Sequence, residues 1–138
     1  MKKIILTYAV LAAVLFSGLY FTSQKTEPEK QTVSVLQTST GNVMKIDPED
    51  FVTGTVSGEM PSDFEPEALK AQAVAARTYL FYKTDGGKKH GNADICDNPA
   101  CCCAFYTKQQ LEDKKGAQWV SDGYEKIRKC VNATKGEI

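Results

Sequence analysis

The sequence carries no net charge. Its 138 residues include 17 lysines and arginines and 17 aspartates and glutamates. A protein without a broad basic surface cannot hold a nucleic acid through counterion release. We therefore expect no nucleic-acid partner. The length leaves room for one domain of ordinary size.

Histidine and tryptophan are almost absent, with one residue of each type, His90 and Trp119. A catalytic pair of cysteine and histidine would have to use His90. The spacing of His90 from the cysteines indicates neither a nucleophile at a sharp turn nor a third group that orients the ring. The sequence therefore argues against a cysteine nucleophile.

Charged residues are missing from one long run, residues 4–21, which follows Lys2 and Lys3. At about 1.5 Å per residue, such a run is just long enough to cross a hydrocarbon core of about 30 Å. Residues 20–23 offer no Ala-x-Ala-like site for signal peptidase. A secretory signal and an anchor both remain open. We favour an uncleaved, single-pass anchor in the cell membrane at residues 1–22, with the bulk of the chain extracytoplasmic.

The next segment, residues 23–31, is rich in Gln, Lys, Thr, Glu and Pro and predicts a flexible linker. The remaining residues, 32–138, form the predicted folded domain. Its first part alternates between apolar and polar residues over 32–37 and again over 43–46. This pattern predicts a short β-hairpin.

Helix signals dominate the rest of the chain. Asp47 is an N-cap candidate and Pro48 suits the first helical position, so a helix should begin here and end close to Glu59. Pro66 predicts the start of a second helix. The predicted fold class is α+β, with a transmembrane helix, a short hairpin and a helix-rich region that carries a cysteine-rich loop. Further helices are predicted from about Lys108 and over about 120–134.

Two neighbouring stretches carry a family resemblance. Residues 54–61 read Gly-Thr-Val-Ser-Gly-Glu-Met-Pro, and residues 67–79 read Glu-Ala-Leu-Lys-Ala-Gln-Ala-Val-Ala-Ala-Arg-Thr-Tyr. They resemble the stage II sporulation protein D family of peptidoglycan lytic enzymes, whose first pattern is Gly-Val-Val-x-x-Glu-Met-Pro, so that only Thr55 departs from it. The resemblance covers about residues 43–138. Family members are typically longer, and we expect the chain to be the N-terminal part of such a protein.

The resemblance implies a lytic transglycosylase that cleaves the bond between N-acetylmuramic acid and N-acetylglucosamine in glycan strands. One glutamate, here Glu59, would act first as acid and then as base, while the C6 hydroxyl of the sugar closes a 1,6-anhydro ring. The implied setting is engulfment of the forespore, with a sporulation amidase that removes stem peptides and a membrane partner of the engulfment complex. The alternative is a non-catalytic peptidoglycan-binding or scaffold module.

The neighbours of Glu59 in the sequence suit a catalytic acid. Apolar surroundings disfavour the charged form of a carboxyl group, and Val56, Met60 and Phe64 can supply them. Spacing alone equally allows Glu59 to cap the following turn or to pair with Arg77. We expect an apolar pocket around Glu59.

A conventional glycoside hydrolase would need a second carboxylate about 5–9.5 Å from the first. Asp63 and Glu65 are the local candidates. Both fit equally well as cap residues for the helix that starts at Pro66. We therefore expect a mechanism with a single acid.

Three residues of the second predicted helix, Gln72, Arg77 and Tyr79, can support Glu59 or contact sugar hydroxyls. For Arg77 we favour a structural task, in which the guanidinium fixes a loop through hydrogen bonds to backbone carbonyls. Four aromatic residues could stack on sugar rings, but in a small domain they are more typical of a core. They are Phe105, Tyr106, Trp119 and Tyr124.

The chain contains five cysteines, four of them close together. His90, Cys96 and Cys102 are suitable zinc ligands, with Cys101 and Cys103 as substitutes for Cys102. The region resembles that of clostridial family members with a zinc site, including its Asp-Ile-Cys-Asp context. Disulfides and free thiols remain the alternatives, although neighbouring cysteines do not readily bridge each other and an odd total leaves one over. We predict a structural zinc ion.

Overall fold

The computed structural model of the chain describes residues 31–86 and 90–138. The predicted anchor at 1–22 and nearly all of the predicted linker lie outside these residues. The strands are β1 (Val33–Leu36), β2 (Val43–Ile46) and β3 (Ile95–Cys96). The helices are α1 (Pro48–Glu59), α2 (Pro66–Asp85), α3 (Lys108–Lys115), α4 (Ala117–Trp119) and α5 (Glu125–Ala133), with a π-helical segment (Val120–Tyr124) between α4 and α5.

Strands β1 and β2 form the predicted hairpin. They pair antiparallel, with Val33 opposite Ile46 and Leu36 opposite Val43. The turn between them needs a residue with positive φ, and Gly41 takes this place with a φ of 75°. Glycine adopts this conformation without steric cost, which explains the glycine in the turn.

A third strand completes the sheet, and the sequence did not predict it. β3 lies parallel to the other side of β1, so the strand order is β2-β1-β3. Two aspartates flank β3 and tie it down, because Asp94 accepts a hydrogen bond from the Ser34 backbone N–H and Asp97 one from the Thr38 backbone N–H. A strand of two residues is too short to show a periodic pattern.

Helix α1 begins as predicted. The Asp47 side chain accepts a hydrogen bond from the Glu49 backbone N–H at 2.9 Å, and Pro48 occupies the first turn. Glu59 is the last residue of the helix. The prediction that Glu59 falls at the helix end is therefore confirmed.

The later helices differ from prediction in one place. Helices α2 and α3 begin at the predicted residues, Pro66 and Lys108. The last helical stretch begins at Ala117 instead of Val120 and widens into the π-helical segment before α5. Propensity alone does not indicate such a segment, which depends on local packing.

The core lies where the sheet meets α1, α2 and α5. Phe51 of α1 stacks on Phe105, with ring centroids 4.9 Å apart and an interplanar angle of 17°. Each of the helices α1, α2 and α5 buries an apolar side in this core. The buried members include Val52, Val56, Leu69, Ala73, Leu80, Ile127 and Val131.

One face of α1 is shaped by two glycines a helical turn apart, Gly54 and Gly58. A Cβ at Gly54 would overlap the Tyr106 carbonyl oxygen and would lie 2.7 Å from Phe105 Cε2. A Cβ at Gly58 would lie 3.0 Å from the Tyr106 ring. The extended segment at Phe105 and Tyr106 therefore packs directly on the backbone of α1. We call this surface the glycine face.

Within residues 31–86 and 90–138, no helix combines the length and apolar character needed to cross a bilayer.

We predict that Gly54→Ala destabilises the fold. The added methyl group would collide with backbone, and overpacking costs about 1–3 kcal/mol, more than the roughly 0.5–1 kcal/mol that alanine gains over glycine in a helix. Ser57→Ala is the matched control on the same buried helix. The Ser57 hydroxyl has no hydrogen-bond partner among the described residues, so its removal should be neutral or stabilising.

Urea denaturation measures both free energies of unfolding. A Gly54→Ala midpoint at or above that of the parent chain would contradict the packing of Tyr106 on α1.

Candidate functional site

Glu59 lies in a cleft with a volume of about 450 Å³. Its lining comes from the end of α1 with the chain just after it, and from Lys115 and Trp119. Glu59 is exposed to solvent in this cleft. The remaining lining residues are Gly58, Met60, Pro61, Ser62 and Asp63.

Gln72 of α2 holds the Glu59 carboxylate. Its Nε2 donates a hydrogen bond to Glu59 Oε2 at 2.7 Å. Within the described residues this is the single hydrogen bond to that carboxylate, and the Glu59 side chain is exposed where it lines the cleft. Of the two roles considered for Gln72, the geometry supports the positioning of Glu59.

The apolar surroundings expected for Glu59 form only in part. Val56 is fully buried in the core, one helical turn away, and Phe64 is 48% exposed. Met60 packs against the core. Of the three apolar neighbours, only Met60 lines the cleft, together with Pro61 and Trp119, and the Glu59 side chain is exposed to solvent there.

The two candidates for a second carboxylate differ in whether they line the cleft. Asp63 lines the same cleft as Glu59. Glu65 occupies the N-cap position of α2 without a side-chain hydrogen bond to the helix. Neither side chain acts as the helix cap that the sequence suggested.

Arg77 takes no part in the site at Glu59. Its guanidinium is 1% exposed and forms an ion pair with Glu49, with Nη2 2.6 Å from Glu49 Oε2. It also donates hydrogen bonds to the backbone carbonyls of Val131 and Glu137. The structural task predicted for Arg77 therefore agrees with these contacts. The Arg77 side chain joins α1, α2 and the end of α5, however, and its hydrogen bonds do not involve the loop after Glu59. A pairing of Arg77 with Glu59 is excluded in this structure.

The aromatic residues divide into two pairs. Phe105 and Tyr124 are buried, as expected for a core. Tyr106 and Trp119 are only half-buried, and Trp119 lines the cleft beside Glu59. Tyr79 is half-buried at the edge of the core and does not line the cleft. The sequence analysis favoured a core position for Trp119, because the spacing between Trp119 and Glu59 does not indicate that the two residues share a cleft.

A cluster of four potential metal ligands lies at the end of β3. The ligand atoms of His90, Cys96, Cys101 and Cys102 all lie within 4.8 Å of one another. His90 Nε2 is 3.3 Å from Cys102 Sγ and 3.8 Å from Cys101 Sγ. A tetrahedral ion bound by nitrogen and sulfur separates its ligand atoms by roughly 3.6–3.8 Å. The cluster can therefore hold a metal ion, with Cys101 as the fourth ligand.

Of the two alternatives to a metal site, disulfides and free thiols, the structure is consistent only with free thiols. All five thiols are free, so the structure contains no disulfide among them. Cys103, a proposed substitute, lies outside the cluster and approaches Thr55 Oγ1 of α1 at 3.9 Å. Burial raises the pKa of the Cys103 thiol to about 12.

The thiols within the cluster have different acidities. Burial would raise the pKa of Cys102, but hydrogen bonds from the Cys96 backbone and from His90 outweigh it and lower this pKa to about 7. Burial raises the pKa of Cys96 to about 12. Three thiols, one of them with a lowered pKa, next to an imidazole form a donor set suited to a soft divalent ion.

The comparisons with known proteins concern the same part of the chain. Residues 36–138 match the model of a family described as "Stage II sporulation protein". Stage II sporulation protein D of Bacillus amyloliquefaciens is 35% identical over 107 residues, which are 76% of this chain and 30% of that protein. The protein of the same name in Bacillus subtilis (strain 168) is 31% identical over 109 residues, 78% of this chain and 32% of that protein.

A third relative matches a shorter stretch. An uncharacterized protein of Brachyspira hyodysenteriae (strain ATCC 49526 / WA1) is 55% identical over 40 residues, 29% of this chain and 11% of that protein. This chain thus spans less than a third of the length of each of the three relatives.

Proposed function

The chain belongs to the stage II sporulation protein D family, and we propose that it acts on the glycan strands of peptidoglycan during sporulation, as a lytic transglycosylase. Glu59 is the proposed catalytic residue. The observation that carries the proposal is a carboxylate at a helix end, held by Gln72 at 2.7 Å and exposed to solvent in a cleft.

The proposed reaction needs one acid that later acts as a base. Glu59 in its protonated form gives its proton to the glycosidic oxygen while the bond from that oxygen to C1 of N-acetylmuramic acid breaks. The C6 hydroxyl of the same sugar attacks C1, and the Glu59 carboxylate accepts the hydroxyl proton. The products are two shorter strands, one of which ends in a 1,6-anhydro sugar, and no water is consumed.

The exposed position of Glu59 agrees with an extended polymer as substrate. A strand that lies along the cleft would itself cover the carboxyl group and exclude water from it, which strengthens electrostatic interactions there. Gln72 would keep the carboxyl group turned toward the bound strand. Holding a catalytic group in place before the substrate arrives contributes much of its effect.

A second candidate is a peptidoglycan-binding module without catalysis. The observation that favours it is the exposure of the Glu59 side chain to solvent. Membrane anchorage through residues 4–21, extracytoplasmic location, and partnership with an amidase and a membrane protein of the engulfment complex belong to either proposal.

The proposed metal is structural zinc, bound by His90, Cys96, Cys101 and Cys102. Three thiols and an imidazole form a common donor set for structural zinc. When bound, zinc would supply crosslinking and no chemistry at Glu59. Its ligands would connect the end of β3 to the segment that packs on the glycine face of α1.

We predict one zinc ion per chain and a lower melting temperature after chelation, because metal binding energy is folding energy. Cys101→Ser should lower the zinc content, since Cys101 supplies the fourth ligand. Cys103→Ala is the matched control and should leave the zinc content unchanged. Elemental analysis of protein prepared without added zinc measures both. Metal-free protein with all cluster thiols open to alkylation would refute the site.

We predict that Glu59→Gln lowers strand cleavage by about 10²- to 10⁴-fold, the usual contribution of general acid catalysis. The amide matches the carboxyl group in size but cannot deliver the proton. Strand affinity should change little. The measurement is the release of 1,6-anhydro ends from purified glycan strands.

Glu67→Gln is the control, since Glu67 pairs with Lys70 in the first turn of α2 and lies outside the cleft. A Glu59→Gln chain that retains more than about a tenth of the parent rate would rule out Glu59 as the acid. Reducing ends in place of anhydro ends would indicate a hydrolase that uses Asp63 as well. Strand binding without any product would favour the binding module.

A further inference from the structure

The last turn of α1 contains a backbone carbonyl that the helix itself cannot satisfy. In an α-helix the Ser57 carbonyl would accept a hydrogen bond from the N–H of residue 61, but that residue is Pro61, which has no N–H. Ser57 is fully buried, so this carbonyl is shielded from bulk water. A buried acceptor without a partner destabilises a fold as much as a lost hydrogen bond does. The helix end that carries Glu59 therefore needs a donor from another element.

Lys115 supplies this donor. Its Nζ donates a hydrogen bond to the Ser57 carbonyl oxygen at 3.1 Å, across 58 residues of sequence. A cation next to the last carbonyls of a helix is also favourable to the helix dipole. The preceding carbonyl, that of Val56, accepts a hydrogen bond from the Met60 N–H at 2.9 Å. One local and one long-range hydrogen bond thus close the turn that contains Glu59.

The structure around Lys115 holds its ammonium group in place. Lys115 is the last residue of α3, and the Gly116 N–H ends this helix by donating to the Glu112 carbonyl at 2.8 Å. Gly116 has a φ of 88° and turns the chain into α4. Lys115 Nζ then lies 4.1 Å from the centroid of the Trp119 ring. This cation–π contact favours one position of the ammonium group over a freely moving side chain.

Trp119 is itself fixed by close packing. A Cβ at Gly123 would lie 2.6 Å from Ser62 Oγ and 2.9 Å from Trp119 Nε1, so only glycine lets both groups approach this closely. Gly123 belongs to the π-helical segment, and such segments are frequent at functional sites. The packing of this segment therefore fixes the indole ring that holds the Lys115 ammonium group.

Glu59 is thus held by contacts of two kinds. Gln72 donates to its carboxylate, and Lys115 closes the backbone turn two residues before it. We propose that Lys115 is a positioning residue for Glu59, which keeps the last turn of α1 where the carboxyl group can reach the glycosidic oxygen. Proton transfer requires a donor and an acceptor about 2.6–3.2 Å apart, so a small shift of this turn lowers the rate. The inference rests on the proposed function and adds a residue that the sequence analysis did not single out.

The first test compares the cleavage kinetics of Lys115 variants with those of the parent chain. Lys115→Met keeps a side chain of similar length but removes the donor. Its kcat for the release of 1,6-anhydro ends should fall about 10- to 100-fold, the effect of a displaced catalytic group, while KM changes little. Lys115→Arg should retain most of the activity, because a guanidinium group also donates hydrogen bonds. The Lys115 side chain is exposed, so both variants should fold.

Lys108→Met is the matched control. It also removes a cation from α3, in the first turn of the helix, where the ammonium group pairs with Glu125 and lies 5.3 Å from the centroid of the Tyr124 ring. Lys108 does not line the cleft. Its kcat and KM should therefore match those of the parent chain.

Hydrogen exchange tests the same contact without catalysis. In Lys115→Met the backbone amide of Met60, which closes the last turn of α1, should exchange at least about tenfold faster than in the parent chain. The amides in the first turn of α1 should keep their exchange rates. Equal acceleration in both turns would indicate a general loss of stability and would overturn the positioning role.

The kinetic outcomes separate the inference from the proposed function. A parent-like kcat in Lys115→Met would overturn the inference, and so would a higher KM at unchanged kcat, which would make Lys115 a strand-binding residue. Unchanged exchange of the Met60 amide would also overturn it. If the parent chain itself releases no anhydro ends, the proposed function is wrong, and the positioning role of Lys115 falls with it.

Discussion

The close contact between the glycine face of α1 and the segment at Phe105 and Tyr106 is the constraint on which the structure depends. Side chains at positions 54 and 58 would keep this segment away from the helix backbone. With glycine there, Phe105 stacks on Phe51 in the core, and the Tyr106 ring lies against the last turn of α1. The helix end that carries Glu59 is thus held by packing.

The same contact links the two candidate sites. Cys101 and Cys102 belong to the metal-ligand cluster, and Cys103, the next residue, approaches Thr55 of α1. Two residues further along, the chain reaches the glycine face. A metal ion in the cluster would therefore order a segment that packs on the helix of Glu59, without any contact with the substrate.

The opposite end of α1 is held by a different kind of interaction. Arg77 and Glu49 form an ion pair in which the arginine is 1% exposed, and Arg77 also donates to two carbonyls near the chain end. Loss of one partner from a buried pair typically costs about 3–5 kcal/mol, because the other charge is left buried. The contribution of Arg77 to the stability of the fold therefore explains the arginine in the family-like stretch.

Much of the fold could be predicted from local signals. Asp47 and Pro48 start a helix through capping and a preset φ angle, and the alternation around Gly41 predicts a hairpin. The family resemblance correctly identified the family, and the position of Glu59 at the end of α1 followed from the sequence. Strand β3 escaped prediction because only its long-range pairing with β1 defines it.

The environment of the site was harder to predict. The residues around Glu59 in the sequence are apolar, but Val56 turns into the core while Glu59 turns to solvent. Trp119 reaches the cleft through a helix that the sequence placed three residues too late. Both errors arise because side-chain direction depends on tertiary packing, which periodicity does not contain.

The Tyr106 ring holds the end of α1, and therefore Glu59, in place. Hydrogen exchange in a Tyr106→Ala chain tests it most directly. We predict at least about tenfold faster exchange of backbone amides in the last turn of α1, with little change in the turn near Glu49 that Arg77 holds. Unchanged exchange in the last turn, or equal acceleration along the whole helix, would contradict it.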